Sequence, residues 1–195
     1  MVRVIAGKAR GRKLKTIDSE STKPTLDRVK EAMFSMLTPY IPCNQVLDLF
    51  SGNGSLGIEA LSRGAEFCIF NDRSKECTKY IKENLKTLGF EGQSFVYSLD
   101  YREVIADVKR KGVAFELVLL DPPYGLGLAE AALCAISEAG VYSGRSAGEM
   151  PCVAVAEHSV EEKMPEKCGA FRKIKEKTYG TVGVTLYEAD GSVVR

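Results

Sequence analysis

The chain has 195 residues, a formal charge of +1, 45% hydrophobic residues and 27% charged residues. A chain of this length buries roughly 70% of its unfolded surface, enough for one ordinary core without disulfides or a structural metal. Balanced charge excludes a disordered chain, and no apolar run approaches the roughly 20 residues that a membrane-spanning helix needs.

The first element is basic. Arg3, Lys8, Arg10, Arg12, Lys13 and Lys15 meet no acid within residues 1–17, so this stretch carries +6 and the remainder −5. Two short alternating runs flank a glycine-containing turn, which predicts a β-hairpin arm over residues 1–22 ahead of a main domain at 23–195. A hairpin is marginal alone and must dock on the body. Its charge points to a polyanion, RNA or DNA. The start lacks a signal-peptide apolar region, so a soluble cytoplasmic protein is expected.

After a polar loop, Thr25 is placed to cap a helix over 26–37, with Val29, Met33, Phe34 and Leu37 on one face. Strands are then predicted at 45–50, 67–72, 94–100, 115–121 and 152–157. Helices follow the first four, and a hairpin of 171–177 with 181–188 ends the chain. Repeated βα units before a hairpin predict an α/β sandwich with a seven-stranded, mainly parallel sheet and an antiparallel edge. The stretch 143–150 is expected to be loop. The six cysteines form no Cys-x-x-Cys pair and His158 is the sole histidine, so no metal site is expected. The cysteines read as small core residues in a reducing compartment.

Chemistry concentrates at the strand ends. The first βα turn places Gly52, Gly54 and Gly57 in the pattern G-x-G-x-x-G, and Asp72 lies 20 residues past Gly52. Such a loop lets backbone approach a ligand at a helix N-terminus, and the acid meets ribose hydroxyls. Asp48, inside the first strand, would repel a pyrophosphate but suits an ammonium. Asp100 ends the third strand, where it can meet an adenine amine or simply cap the next helix. The fourth strand ends in Asp121-Pro122-Pro123-Tyr124. An exocyclic amine on a base is a poor nucleophile, because its lone pair is delocalised into the ring. The Asp121 carboxylate and Pro122 carbonyl can accept its two hydrogens and aim the lone pair at an electrophilic methyl. Tyr124 can stack on the base. The rate gain comes from alignment and electrostatics.

The segments Arg3–Leu14, Lys23–Phe34, Asp48–Ala65, Asp72–Ser74, Asp121–Tyr124, Glu157–Ser159 and Lys177–Thr181 together resemble the class I S-adenosylmethionine-dependent methyltransferases. More closely, they resemble the bacterial RsmD family, which methylates N2 of a guanine in small-subunit (16S) ribosomal RNA. The resemblance spans nearly the whole chain. It implies a Rossmann-like fold with S-adenosylmethionine as cofactor and S-adenosylhomocysteine as product. The methionine end would be held by Asp48, Phe50, Ser51, Gly52 and Gly54. Asp72 and Arg73 would border the ribose, Asp100 and Tyr101 the adenine, and Thr25 the cofactor carboxylate. Arg3, Lys8, Arg10, Arg12 and Lys13 would grip RNA. The partner would be small-subunit rRNA, free or within a 30S particle, with no obligate protein partner and no membrane. Ser51, Asn53, Ser55 and Asn71 are more polar than the family pattern.

Other functions stay open on sequence alone. An N6-adenine DNA methyltransferase uses the same tetrapeptide, though no separate target-recognition domain is evident. A nicotinamide oxidoreductase fits the glycines but not Asp48. A non-catalytic RNA-binding protein would need only the arm. His158 reads as a satisfied strand-end residue without a catalytic role.

Overall fold

The computed structural model describes residues 2–16, 24–143 and 151–190. The expected loop at 143–150 therefore lies outside the described residues from 144 onward. The elements in chain order are α1 (Pro24–Leu37), β1 (Gln45–Asp48), α2 (Ser55–Ser62), β2 (Phe67–Asn71), α3 (Lys75–Leu88), β3 (Ser94–Tyr97) and α4 (Tyr101–Arg110). They continue with β4 (Leu117–Leu120), α5 (Leu128–Ala139), β5 (Val153–Ser159), β6 (Lys167–Cys168), β7 (Phe171–Tyr179) and β8 (Val182–Ala189).

The strands form one sheet of eight in the order β3-β2-β1-β4-β5-β8-β7-β6. Pairings from β3 through β5 are parallel, and those among β5, β8, β7 and β6 are antiparallel. The expected seven strands are all present. The eighth, β6, is two residues long, too short to leave an alternation in the sequence.

Strand alternation sends side chains to two cores. Val46, Phe70, Leu119 and Val155 pack beneath α1, α2 and α3; Leu47, Ile69, Val118 and Leu120 pack beneath α4 and α5. The α1 stripe of Val29, Met33, Phe34 and Leu37 is fully buried, as its helical spacing predicts. Helix α1 begins at Pro24, so Thr25 sits within its first turn rather than at its cap. Proline is preorganised for that opening position.

The basic arm is a short hairpin around the antiparallel Arg3–Lys13 bridge, with the Val4, Leu14 and Gly11 amides donating across it to the Arg12, Val2 and Val4 carbonyls at 2.9, 3.0 and 2.8 Å. Its turn amides are taken up by α2. Ile5 and Ala6 donate to the Glu59 carboxylate at 2.7 and 2.9 Å, and Lys8 and Ala9 donate to the Ser62 carbonyl and hydroxyl at 2.7 and 2.9 Å. Val4, Ala9 and Leu14 enter the first core. Gly7 has φ +83° and lies so close to α2 that an added Cβ would sit 1.8 Å from the Ser62 carbonyl oxygen. Only glycine permits this docking.

Cys134 and Cys168 pair as a disulfide joining α5 to β6, with Cα atoms 5.4 Å apart. This corrects the expectation of reduced cysteines for that pair; the two are 34 residues apart in sequence, and only the fold brings them together. Cys43, Cys68, Cys77 and Cys152 are free. No helix among the described residues is long and apolar enough to cross a membrane, and none of their acidic, cysteine and histidine side chains cluster as a metal site.

Candidate active site

Strand order reverses between β1 and β4, and ligands bind at the carboxyl edge of such a sheet. A cleft of about 780 Å³ opens there. Its walls include Phe50, Ser51, Gly52, Asp72, Arg73, Asp100 and Tyr101, with Asp121, Pro122, Pro123 and Tyr124 along the lip. These sequence-predicted residues are thus brought together by four different strand ends.

Asp48 and Gly54 lie beneath the cleft rather than on its wall. Gly54 opens α2 with φ +82°. Asp48 is fully buried; its Oδ2 accepts from the Gly57 amide at 2.9 Å, and its Oδ1 has no partner among the described residues. Burial raises its pKa to about 7. An unpartnered buried carboxylate oxygen under a glycine loop fits a cationic ligand group, because a bound cation would offset the cost of burying it. Gly57 itself must be glycine: a Cβ there would sit 2.3 Å from the Phe70 ring. Its absence lets α2 pack directly on β2.

The loop braces itself. Ser51 donates to the Asp48 carbonyl at 2.7 Å and accepts the Asn71 amide at 3.0 Å. Asn71 donates to the Leu49 carbonyl at 3.2 Å and accepts the Leu99 amide at 3.2 Å. Two of the four polar departures from the family pattern, Ser51 and Asn71, are therefore ties between strand ends. Asp72 accepts the Gly52 amide at 2.9 Å and the Ser74 amide at 2.8 Å, so it shapes the loop while facing the cleft. Asp100 caps α4 in a capping box with Glu103 and still borders the cleft. The cap reading of Asp100 is thus shown, and its place on the cleft wall is compatible with the other. Tyr101 packs on Phe50 with ring centroids 5.6 Å apart.

Sequence reasoning assigned no site role to Glu157, although it closes β5 beside the cleft. The register Leu120↔Ala156 sets Asp121 beside Glu157 on the neighbouring strand. Glu157 is 6% exposed and accepts the Tyr124 hydroxyl at 2.5 Å. Burial raises the pKa of both acids, and the Glu157 charge pushes Asp121 further up. Burial and Glu157 also raise the Tyr124 phenol, which stays protonated and donating. The signals in the sequence were an acid following a run of buried strand residues and its place in the Glu157–Ser159 family segment. His158 is satisfied by the Ser159 carbonyl and the Thr185 hydroxyl, each at 2.8 Å, as expected.

The Thr25 side chain lies outside the described residues. The predicted RNA-contact residues do not line the cleft. They stand on the arm, where Arg3, Lys8, Arg10, Arg12 and Lys13 are all exposed. Arg3 pairs with Asp27 at 3.2 Å, and Arg12 donates to the Thr87 carbonyl at 3.2 Å.

Comparison with known proteins agrees with this architecture. Ribosomal RNA small subunit methyltransferase D of Haemophilus influenzae is 36% identical over 191 residues, covering 96% of this chain and 93% of the relative. The Bacillus subtilis relative YlbH is 40% identical over 190 residues, covering 97% of this chain and 100% of the relative. The solved structure of yhhF from Escherichia coli superposes with a TM-score of 0.84 at 31% identity, covering 98% of this chain and 99% of that one. A family model described as Conserved hypothetical protein 95 matches residues 2–188, and the chain belongs to that family, the RsmD type that its motifs resemble.

Proposed function

We propose that this chain is a small-subunit rRNA methyltransferase that places its methyl group on the exocyclic N2 of a guanine. The observation that carries this reading is the Asp121–Tyr124 lip, set against Glu157 at the mouth of a cleft floored by Asp48. The cofactor is S-adenosylmethionine, which supplies an electrophilic sulfonium methyl when bound. Asp48, Asp72 and Asp100 are the residues that would hold its ammonium, ribose and adenine.

The chain's own chemistry is hydrogen bonding and proton uptake. The Asp121 carboxylate and the Pro122 carbonyl accept the two amine hydrogens. This withdraws the nitrogen lone pair from conjugation and turns it out of the base plane. The methylated nitrogen sheds a proton, and the Asp121 carboxylate takes it. Burial beside Glu157 raises the proton affinity of Asp121, which suits it to that uptake. Tyr124, 42% exposed and tied to Glu157, offers a fixed ring face to the base. The target guanine would leave its stack to reach this lip.

Methyl transfer to small-subunit rRNA and to 30S particles from cells lacking the protein tests the reading. N2-methylguanosine at one mapped position is expected. N6-methyladenosine, or transfer to DNA alone, would replace it.

Two further outcomes are expected. Asp48 binds an ammonium only when ionised, so S-adenosylhomocysteine affinity should fall about tenfold per pH unit below about 7. The sign for the free protein is opposite: a carboxyl raised by burial costs stability as pH climbs from about 4 to about 7. Calorimetry between pH 5.5 and 7.5 checks this, and Asp48→Asn should remove the dependence. Charge reversal at Arg10 and Arg12 should weaken rRNA binding and flatten its salt dependence. Unchanged methylation of ribosomal particles by that variant would remove the arm from RNA binding.

A further inference from the structure

Two sequence segments that the cleft does not use converge on a second cavity. Helix α1 turns Asp27 and Lys30 toward the arm, where they meet Arg3. Its adjoining stripe, Arg28, Glu31, Ala32 and Ser35, faces the β7–β8 turn. Between that stripe and Lys177, Tyr179 and Gly180 lies a groove of about 730 Å³, nearly the volume of the cofactor cleft. Arg28, Glu31 and Lys177 are exposed, while Tyr179 is half-buried with its ring packed on the first core.

Its position follows from strand register. Ser159 at the end of β5 pairs with Val182, and the Val160 amide donates to the Thr181 carbonyl at 3.1 Å. Strand β5 runs parallel to β4, so the β7–β8 turn stands at the same sheet edge as Asp121. The groove therefore opens beside α1 at the same carboxyl edge of the sheet as the catalytic lip, and the N-terminal half of α1 carries the ties to the arm.

We infer that the groove seats a nucleotide of the RNA strand flanking the target guanine. This rests on the rRNA methyltransferase reading. Arg28 and Lys177 contact the phosphate from opposite walls. The anchored Tyr179 ring receives a base or ribose face, as single-stranded RNA requires. Glu31 accepts from a ribose hydroxyl or a base amine, and it disfavours a bare phosphate as occupant. A strand gripped by the arm at one end and by this groove near the lip is held at two points, which orients the displaced base between them.

The test uses the full chain and a transcript of the small-subunit rRNA region that carries the methylated position. Arg28→Glu with Lys177→Glu should weaken binding at least tenfold and reduce the salt slope by about 0.7, the loss of one neutralised single-strand phosphate. Affinity for S-adenosylhomocysteine should not change. Tyr179→Ala should weaken binding several-fold, whereas Tyr179→Phe keeps the ring and should bind normally. Lys109→Glu, on α4 across the sheet, should bind normally. Melting curves separate a folding defect in Tyr179→Ala from a binding defect, and the Phe variant decides the matter if Ala unfolds.

Wild-type affinity and salt slope in the Arg28/Lys177 double variant would overturn the groove. If arm reversal still weakens binding in that case, the methyltransferase reading stands without it. If the double variant binds naked RNA normally but fails on 30S particles, the occupant is a protein and the inference is wrong. If no variant and not the wild type methylates any rRNA, the function reading itself fails.

Discussion

Asp121→Ala is expected to lower methyl transfer by about a thousandfold, while leaving S-adenosylhomocysteine affinity close to normal. Alignment of the amine and acceptance of its proton both pass through this carboxylate, and each such contribution is typically worth about 10²–10⁴. The fold should not suffer. Asp121 is half-buried at the cleft lip beside Glu157, and its pKa is driven upward by desolvation and by that like charge, so truncation relieves a strain. A melting temperature equal to or above wild type, together with lost turnover, is the signature of the proposed role. The pH profile supplies an independent check. Transfer should rise with pH as Asp121 ionises, and Glu157→Gln should move that rise to lower pH by removing the neighbouring charge. Lost cofactor affinity with intact turnover in Asp121→Ala would contradict the assignment.

The second large effect concerns Glu59. Its side chain is fully buried in α2 and accepts from Ile5, Ala6 and the Arg63 Nε at 2.7, 2.9 and 2.8 Å. The Lys30 ammonium, itself buried, stands 3.6 Å away, and burial lowers its pKa. Glu59→Ala would strand that cation and two arm amides, a loss of about 3–5 kcal/mol for breaking one side of a buried pair. For a domain of this size the melting temperature should drop by about 6–20 °C. The arm should detach before the sheet unfolds, so hydrogen exchange at Ile5 and Ala6 should rise first. Weaker rRNA binding should accompany it. A variant that melts like wild type with protected arm amides would show that the arm is held by apolar contacts alone.

The same network explains why some features were legible in sequence and others were not. Helices α1 to α5 and the five parallel strands announce themselves through local periodicity, which is a property of consecutive residues. The glycine loop and Asp72 were legible for a similar reason, since a βα turn places its ligand groups at characteristic distances along the chain. Strand β6 was missed because two residues carry no period. The arm pairs with itself as its alternation predicts, but the docking of its turn amides on Glu59 and Ser62, more than 50 residues away, had no local signal. Glu157 belonged to a family segment without an assigned role; it entered the site through the parallel register of β4 and β5.

By itself, the sequence determined the layered α/β architecture, the carboxyl edge as the place of the cleft, and the acids and Asp121–Tyr124 tetrapeptide arrayed along it. These are local codes, each readable within about 20 residues. Tertiary structure alone decided which acid stands beside Asp121, where the arm docks, which cysteines pair, and that α1 and the β7–β8 turn enclose a second groove. Each of these depends on register and on contacts between segments far apart in the chain. Such contacts are set by the balance of burial and hydrogen-bond satisfaction over the whole fold, which no single stretch of residues encodes.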